Sequence, residues 1–540
     1  MTPAKNIGIS GVLSICIHLL LMVGLLCGCT SRKISRELVQ VGQMKAINPK
    51  QQYIKAHLNN GNIYVLHAWI VNDSLQTLSG YGNYLDYNRK LLDSRGSDPS
   101  NKLSDGKLPP FIIPLEEIVI IETNDKGNNP GVAAMVVVGL ATTTFSLYCV
   151  LNPKACFGSC PTYYIKKDTL EKLVGEGFSS SISRSMEEND VDLIDLNLKE
   201  GDPIQVLVKN EALETHMIQQ ITVRFGEKKP GNRIFQEIGG EFYEVNSIQK
   251  PIKATYNSNS ILSQVAEKDE LEWFSLADSF NLAKKEEIFL EFPTSQVPTG
   301  LIIDKRQSLM TTFLFYHLIS LMGQATPYYI TEMETRKPWI KERIEKMYHL
   351  LGGIEVSILD RDNKWVDVNS VGEAGPIVSD THLIILPEVQ TSSVQIRLRM
   401  TQGLWRINSL NITNILNPVQ LETVQPEEVF YGGVKSEVAL DKLLGQQYLV
   451  TFPGDDYHLN FPLTYSHKNE YFIESQGYYI EWMRDEWLID ENFRKAKNVL
   501  FNPSGYLKKM AKAYKDQEPV MEKAFWDSRY TKIQNEKGPI

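Results

Sequence analysis

Asn62-Ile63-Tyr64-Val65-Leu66-His67-Ala68-Trp69 alternates polar and apolar residues between turn signals. A period of two is the pattern of a strand with one buried face. It recurs so often that the chain is expected to be α+β and mainly β, multidomain, and built of antiparallel modules. Around this segment, Asn59-Asn60-Gly61 reads as a hairpin turn and Gly80-Tyr81-Gly82 as a bulge or bend. Phe111 to Pro114 and Ile118 to Ile121 supply further strands, so residues 47–124 form a small β domain in which His57 and His67 are ordinary polar neighbours.

The same pattern returns in Cys160 to Ile165, Gly175 to Phe178, Ile204 to Val208 and Ile218 to Phe225, which places a β-rich domain at 152–298. In 353–476, Ile354 to Leu359 and Trp365 to Val368 flank a hairpin at Asp360-Arg361-Asp362-Asn363-Lys364. Leu383 to Leu386, Val394 to Met400, Leu404 to Ile407, Leu449 to Phe452, His458 to Phe461 and Tyr471 to Ile473 continue it, as in a β-sandwich. Two stretches break the alternation. In 299–352, Leu309, Phe313, Tyr316, His317 and Ser320 recur at helical spacing, and Pro338 opens a second helix that Gly352-Gly353 ends, so this is a helical pair. Residues 477–540 are expected to be C-terminal helices and a tail, interrupted at Asn502-Pro503-Ser504-Gly505.

The N-terminus has its own logic. Lys5 is followed by an uncharged run from Asn6 that ends in Leu26-Cys27-Gly28-Cys29, the order of a secretory signal. Leu26 to Cys29 resembles the lipobox at which bacterial lipoprotein signal peptides are cut. The resemblance implies a signal peptide at 1–28, a lipidated Cys29 as the new N-terminus and a tether at 29–46. Several acyl chains on Cys29 would hold the protein firmly to a membrane without spanning it. With Thr30 rather than aspartate after the cysteine, the resemblance implies the periplasmic face of the outer membrane. Loss of Lys5 changes the formal charge from −9 to −10, and no polybasic patch argues for nucleic acid.

A second uncharged run, Gly131 to Leu151, is long enough to cross a bilayer. Pro130, Ala133, Ala134 and Leu140 favour a helix, and Val136 to Val138 and Thr142 to Thr144 a strand. A buried or membrane-associated helix at 130–151 is the first reading. A true span would make this an inner-membrane protein and place the later residues in the cytoplasm.

Of six cysteines, Cys156 and Cys160 stand with three residues between them, and Gly158 lets a tight loop bring them together. A disulfide fits an oxidising compartment. The pair has neither the two-residue spacing of redox motifs nor a nearby histidine to complete a zinc site. Cys156-Phe157-Gly158-Ser159-Cys160-Pro161-Thr162 is similar to a segment of uncharacterised bacterial lipoproteins, as are Glu214-Thr215-His216, Leu314-Phe315-Tyr316 and Gly477 to Trp482. That family implies no activity, cofactor or catalytic residue.

Specific chemistry is sparse. There is no G-x-S-x-G elbow, no H-E-x-x-H, and Ile238-Gly239-Gly240 lacks the Lys-Ser/Thr of a phosphate loop. Glu214-Thr215-His216 and Asp380-Thr381-His382 are single pairs that read as satisfied turn or strand residues, and Asp360-Arg361-Asp362-Asn363 lacks the glycine and distal glutamate of a calcium loop. Neither a metal nor any other cofactor is called for. Tyr471, Phe472, Tyr478, Tyr479, Trp482 and Trp487 accompany Glu474, Glu481, Asp485 and Glu486, which read first as interface packing and second as a sugar site. Two functions follow. The first is a lipid-anchored, non-enzymatic envelope protein that binds or scaffolds a protein or polysaccharide partner. The second is a lipid-anchored hydrolase of glycans. An enzyme should bring carboxylates together in a cleft with shifted ionisation, and a binding module should show an apolar or aromatic surface without them.

Overall fold

The computed structural model describes residues 32–39, 54–128 and 160–528, less 59, 61, 87–90, 97–107, 168–169, 195–197, 213, 270, 294–298, 324–325, 327–329, 331–337, 373, 389–392, 446, 453 and 482–489. Cys29, Cys156 and the run 131–151 lie outside the described residues. Among the described residues strand accounts for 51% and helix for 20%, so the fold is α+β and mainly β, as the alternation requires. The described strands form five antiparallel sheets.

The first sheet runs in the order Arg32–Val39, Ile118–Asn128, Ile54–Leu58, Ile63–Asn72, Thr77–Leu85 and Leu91–Arg95, with Phe111–Pro114 also on Thr77–Leu85. Ile54, Leu66, Leu78, Ile113 and Ile121 make its core. The ladder between Ile63–Asn72 and Thr77–Leu85 shifts register between Leu66 and Ala68. A Cβ on Gly82 would stand 1.9 Å from the Val65 carbonyl, so only glycine admits this close approach.

Two further sheets pack face to face as a sandwich. One holds Thr162–Lys167, Leu170–Glu176, Pro203–Lys209, Glu428–Tyr431, Val434–Lys435 and Asp456–Thr464. The other holds Glu188–Leu193, Glu214–Glu227, Glu422–Val424, Leu449–Thr451 and Asn469–Glu481. Tyr163, Val206, Val208, Ile221, Val223, Leu459 and Ile473 fill the space between them. The longest ladder joins Glu214–Glu227 to Asn469–Glu481, so this sandwich is made from both ends of the β-rich region. Pairing therefore does not follow the expected consecutive boundaries at 152–298 and 353–476.

Residues between Lys228 and Leu421 form an inserted unit with two six-stranded sheets. Phe242–Gln249, Trp405–Pro418, Thr299–Gln307 and Asp380–Ile385 neighbour one another in one sheet. Lys253–Tyr256, Lys285–Pro293, Ser393–Thr401, Ile354–Leu359 and Trp365–Val371 do so in the other. The hairpin at Asp360 is present. Asp360 Oδ1 accepts from the amides of Asp362 (2.9 Å) and Lys364 (2.8 Å), so the carboxylate closes the turn.

Six α-helices are described: α1 (Leu262–Val265), α2 (Met310–Met322), α3 (Pro338–Leu351), α4 (Glu437–Leu444), α5 (Phe493–Phe501) and α6 (Pro503–Ser528). The helical pair, α2 and α3, is present, but residues 299–307 ahead of it are a central strand. Pro338 starts α3, and Gly352, at φ +67°, donates to the Tyr348 carbonyl at its end. Likewise Gly477 to Glu481 continue a strand, and the next helix among the described residues is Phe493–Phe501. Asn502 ends α5, and its Oδ1 accepts from the Gly505 amide at the start of α6. Helices α2, α5 and α6 bury Phe313, Leu314, Leu500, Leu507, Ala511 and Tyr514 in the core of the inserted unit.

The first sheet and the sandwich share a separate cluster of Ile120, Met217, Tyr448, Tyr478 and Ile480. His57 Nδ1 lies 3.3 Å from the Tyr478 hydroxyl at this junction.

Candidate functional site

A cleft of about 700 Å³ opens between the sandwich and the inserted unit. Its size and position at a junction of two units are those of small-ligand sites. Six carboxyl side chains line it, those of Glu176, Glu188, Asp190, Asp192, Glu237 and Asp380, with Lys305 and His382.

Asp190 and Asp192 share one face of Glu188–Leu193 because they stand two apart on a strand. Asp190 Oδ2 accepts from the Phe178 amide at 2.7 Å, and Asp192 Oδ2 from the Glu176 amide at 3.2 Å. The Glu176 carboxylate in turn reaches the inserted unit, accepting from the amides of Ile377 (2.8 Å) and Val378 (3.4 Å). Gly375 makes that reach possible, since a Cβ there would stand 2.2 Å from Glu176 Oε2.

The opposite wall belongs to the inserted sheet. Lys305 pairs with Asp380, and Ile303 with His382, across adjacent strands. Lys305 Nζ is 2.7 Å and His382 Nδ1 2.9 Å from Asp380 Oδ2. The Lys305 side chain is fully buried, so this pairing is little screened by water. The Glu237-Ile238-Gly239-Gly240 turn also lines the cleft, with Glu237 Oε2 accepting from the Gly239 amide at 2.6 Å.

These surroundings split the ionisation of the carboxyls. Burial, reinforced by Asp380, raises Asp190 to about 6. Burial together with the charges of Asp190, Asp380 and Glu176 raises Asp192 well above the usual range. Burial would also raise Asp380, but His382 and Lys305 overcome it and hold its carboxyl below the ordinary value. The cleft therefore sets two carboxyls that hold their protons more tightly than usual, Asp190 and Asp192, against Asp380, which gives its proton up more readily. Such a set can donate a proton, accept hydrogen bonds from a ligand, and stabilise positive charge.

Asp380 and His382, which read as ordinary strand residues, are thus brought to the cleft by their strand. Glu176, Asp190, Asp192 and Lys305 were not singled out in sequence. Asp190-Val191-Asp192 did carry a local signal, two carboxyls on one strand face, but their partners come from distant segments. The other carboxylate–histidine pair lies away from the cleft: His216 Nε2 is 2.8 Å from Glu214 Oε1, both side chains are fully buried, and burial lowers the imidazole to about 3. Among the described residues, the C-terminal aromatics form no open sugar platform. Tyr471, Phe472, Tyr478 and Tyr479 are buried, and Glu481 accepts from the Tyr316 hydroxyl at 3.1 Å. Trp482, Asp485, Glu486 and Trp487 lie outside the described residues. Cys160 is buried, and Cys156, its expected disulfide partner, is outside them.

Among the described residues, no three His, Cys, Asp or Glu side chains are grouped so as to hold a metal ion. No described helix is long and apolar enough to cross a membrane.

No protein family and no curated protein matches the chain. Among solved structures it is similar to a glycoside hydrolase of family 86 in complex with neoagarooctaose, at 10% identity and a TM-score of 0.15, over 43% of this chain and 34% of that one. It is also similar to a β-porphyranase of family 86 from the human gut bacterium Bacteroides plebeius, at 9% identity and 0.14, over 47% and 39%. A family 31 α-xylosidase from Xanthomonas citri gives 9% and 0.14, over 57% and 29%. The chain spans 29% to 39% of the length of these structures. Scores this low lie below those of a shared fold and carry no argument about function.

Proposed function

We propose that this is a lipid-anchored envelope protein, held through Cys29, whose cleft binds a neutral or cationic ligand rich in hydrogen-bond donors, such as an envelope saccharide. The observation that carries this reading is the convergence of six carboxyl groups in one cleft of ligand size. Carboxylates accept hydrogen bonds from hydroxyl and amino groups and repel phosphate and uronate, so nucleic acid and acidic polymers are poor partners. Binding without chemistry needs no more than this.

The ionisation split favours a second reading, hydrolysis of a bound glycan. Asp190, near 6, suits a general acid that protonates a leaving oxygen. Asp380, held ionised by Lys305 and His382, is a weak base better fitted to stabilising positive charge at the sugar carbon.

Calorimetric titration of the purified chain with neutral, amino-sugar and uronic oligosaccharides tests the site. Neutral or amino sugars should bind and uronic ones should not, with Asp380→Asn weakening binding about tenfold, a loss of ~1.4 kcal/mol. Release of reducing ends that Asp190→Asn abolishes, with binding retained, selects hydrolysis. Failure of every saccharide to bind, or binding indifferent to both substitutions, defeats the assignment.

A further inference from the structure

Pairing in the first sheet brings several separate features to one end of it. Arg32 is directly opposite Asn128, so the chain enters Arg32–Val39 and leaves Ile118–Asn128 side by side. Ile63–Asn72 runs parallel to Ile118–Asn128, because both are antiparallel to Ile54–Leu58 between them. The turn after Asn72 therefore belongs to this same end. Ile70 lies opposite Ser79, and Ser79 opposite Ile112, in one row across three strands.

Among the described residues, three side chains here are apolar and open to solvent: Ile70 at 68%, Leu75 in the turn at 70%, and Ile112 at 66% exposure. Single exposed apolar residues are ordinary, but a group gathered at one end of a sheet asks for a covering surface. The sequence beyond this end says which. Cys29 precedes Arg32 by three residues, and the uncharged run begins at Gly131, three residues after Asn128. Three extended residues reach at most ~10 Å. Acyl chains on Cys29 would therefore hold this end, and no other part of the sheet, against the bilayer surface.

We propose that the end of the first sheet bearing Ile70, Leu75 and Ile112 is a membrane-docking face, whose partner is the headgroup region of a lipid bilayer. The inference rests on the reading of Cys29 as lipidated. It also orients the molecule. Ile120 and His57, nearer the opposite end, join the sheet to the sandwich, so the cleft-bearing units stand away from the membrane. Because that junction joins residues before the run 131–151 to residues after it, both parts lie on one side of the membrane.

The test uses the full lipidated chain in vesicles of phosphatidylethanolamine and phosphatidylglycerol. An environment-sensitive fluorophore is attached at Leu75→Cys or at Val434→Cys, which is 71% exposed on the sandwich, and the signal of the identically treated parent chain is subtracted. At Leu75 the emission should move to shorter wavelength and be quenched by lipid-borne nitroxide, with neither effect at position 434. A Leu75 label that behaves like the one at 434 overturns the docking face. A chain that does not sediment with vesicles defeats both the anchor and the docking face, and leaves the saccharide titration to judge the cleft. In cells, an impermeant maleimide that reaches only one of Ser74→Cys and Val434→Cys overturns the shared side.

Discussion

Asp190 has a carboxyl that holds its proton more tightly in the folded chain than in the unfolded one, since burial and Asp380 raise it from 3.8 to about 6. Protonation then favours folding, and the stability it contributes is lost as pH rises through about 6. This is opposite in sign to Asp380, whose depressed pKa contributes stability above the unfolded value and loses it in acid. Asp190→Asn removes the first effect while keeping an oxygen for the Phe178 amide. It should raise stability at pH 8 by ~1–2 kcal/mol and change it little at pH 4, where the native group is already protonated. Urea denaturation at the two pH values checks this, and an equal loss at both would show that Asp190 acts through packing rather than charge.

Among the elements, α6 does more than cover a sheet. Glu522 on α6 accepts from the Leu309 amide at the head of α2 (2.6 Å) and from Arg406 Nη2 (2.9 Å), and it is itself buried. One carboxylate thus satisfies a helix-start donor and a guanidinium on the strand Trp405–Pro418. Glu522→Ala should cost ~3 kcal/mol, because the buried Leu309 amide loses its acceptor and Arg406 keeps only Glu272, 3.5 Å away. Glu522→Gln, which keeps an acceptor, should cost less. Equal costs in denaturant titrations would mean that the charge is immaterial. The boundaries of α3 were legible in Pro338 and Gly352 because caps act locally. Gly477 to Glu481 and Leu301 to Gln307 were not legible as strand, since both faces of these segments are buried and the alternation of polarity disappears.

At the scale of the whole molecule, the sandwich is closed by strands from either side of the inserted unit, and the first sheet is attached through a small cluster around Ile120. A junction this small should be separable from the rest. Ile120→Ser places a hydroxyl in a fully buried apolar site and should cost ~2–4 kcal/mol. Calorimetry should then resolve a lower-temperature transition for the first sheet, with the main transition unchanged. A single transition shifted as a whole would show that the sheet and sandwich unfold as one body. By itself the sequence determined the β class, the hairpin at Asp360 and the ends of α3, because alternation, turns and caps are set by residues within a few positions of each other. The lipobox resemblance at Leu26 to Cys29, on which the proposed anchor rests, is equally local. Only the tertiary structure decided that the sandwich strands enclose an insertion, and that Asp190 and Asp192 face Asp380, Lys305 and His382. Pairing partners and field strengths depend on which distant strands lie adjacent, and no local pattern encodes that choice.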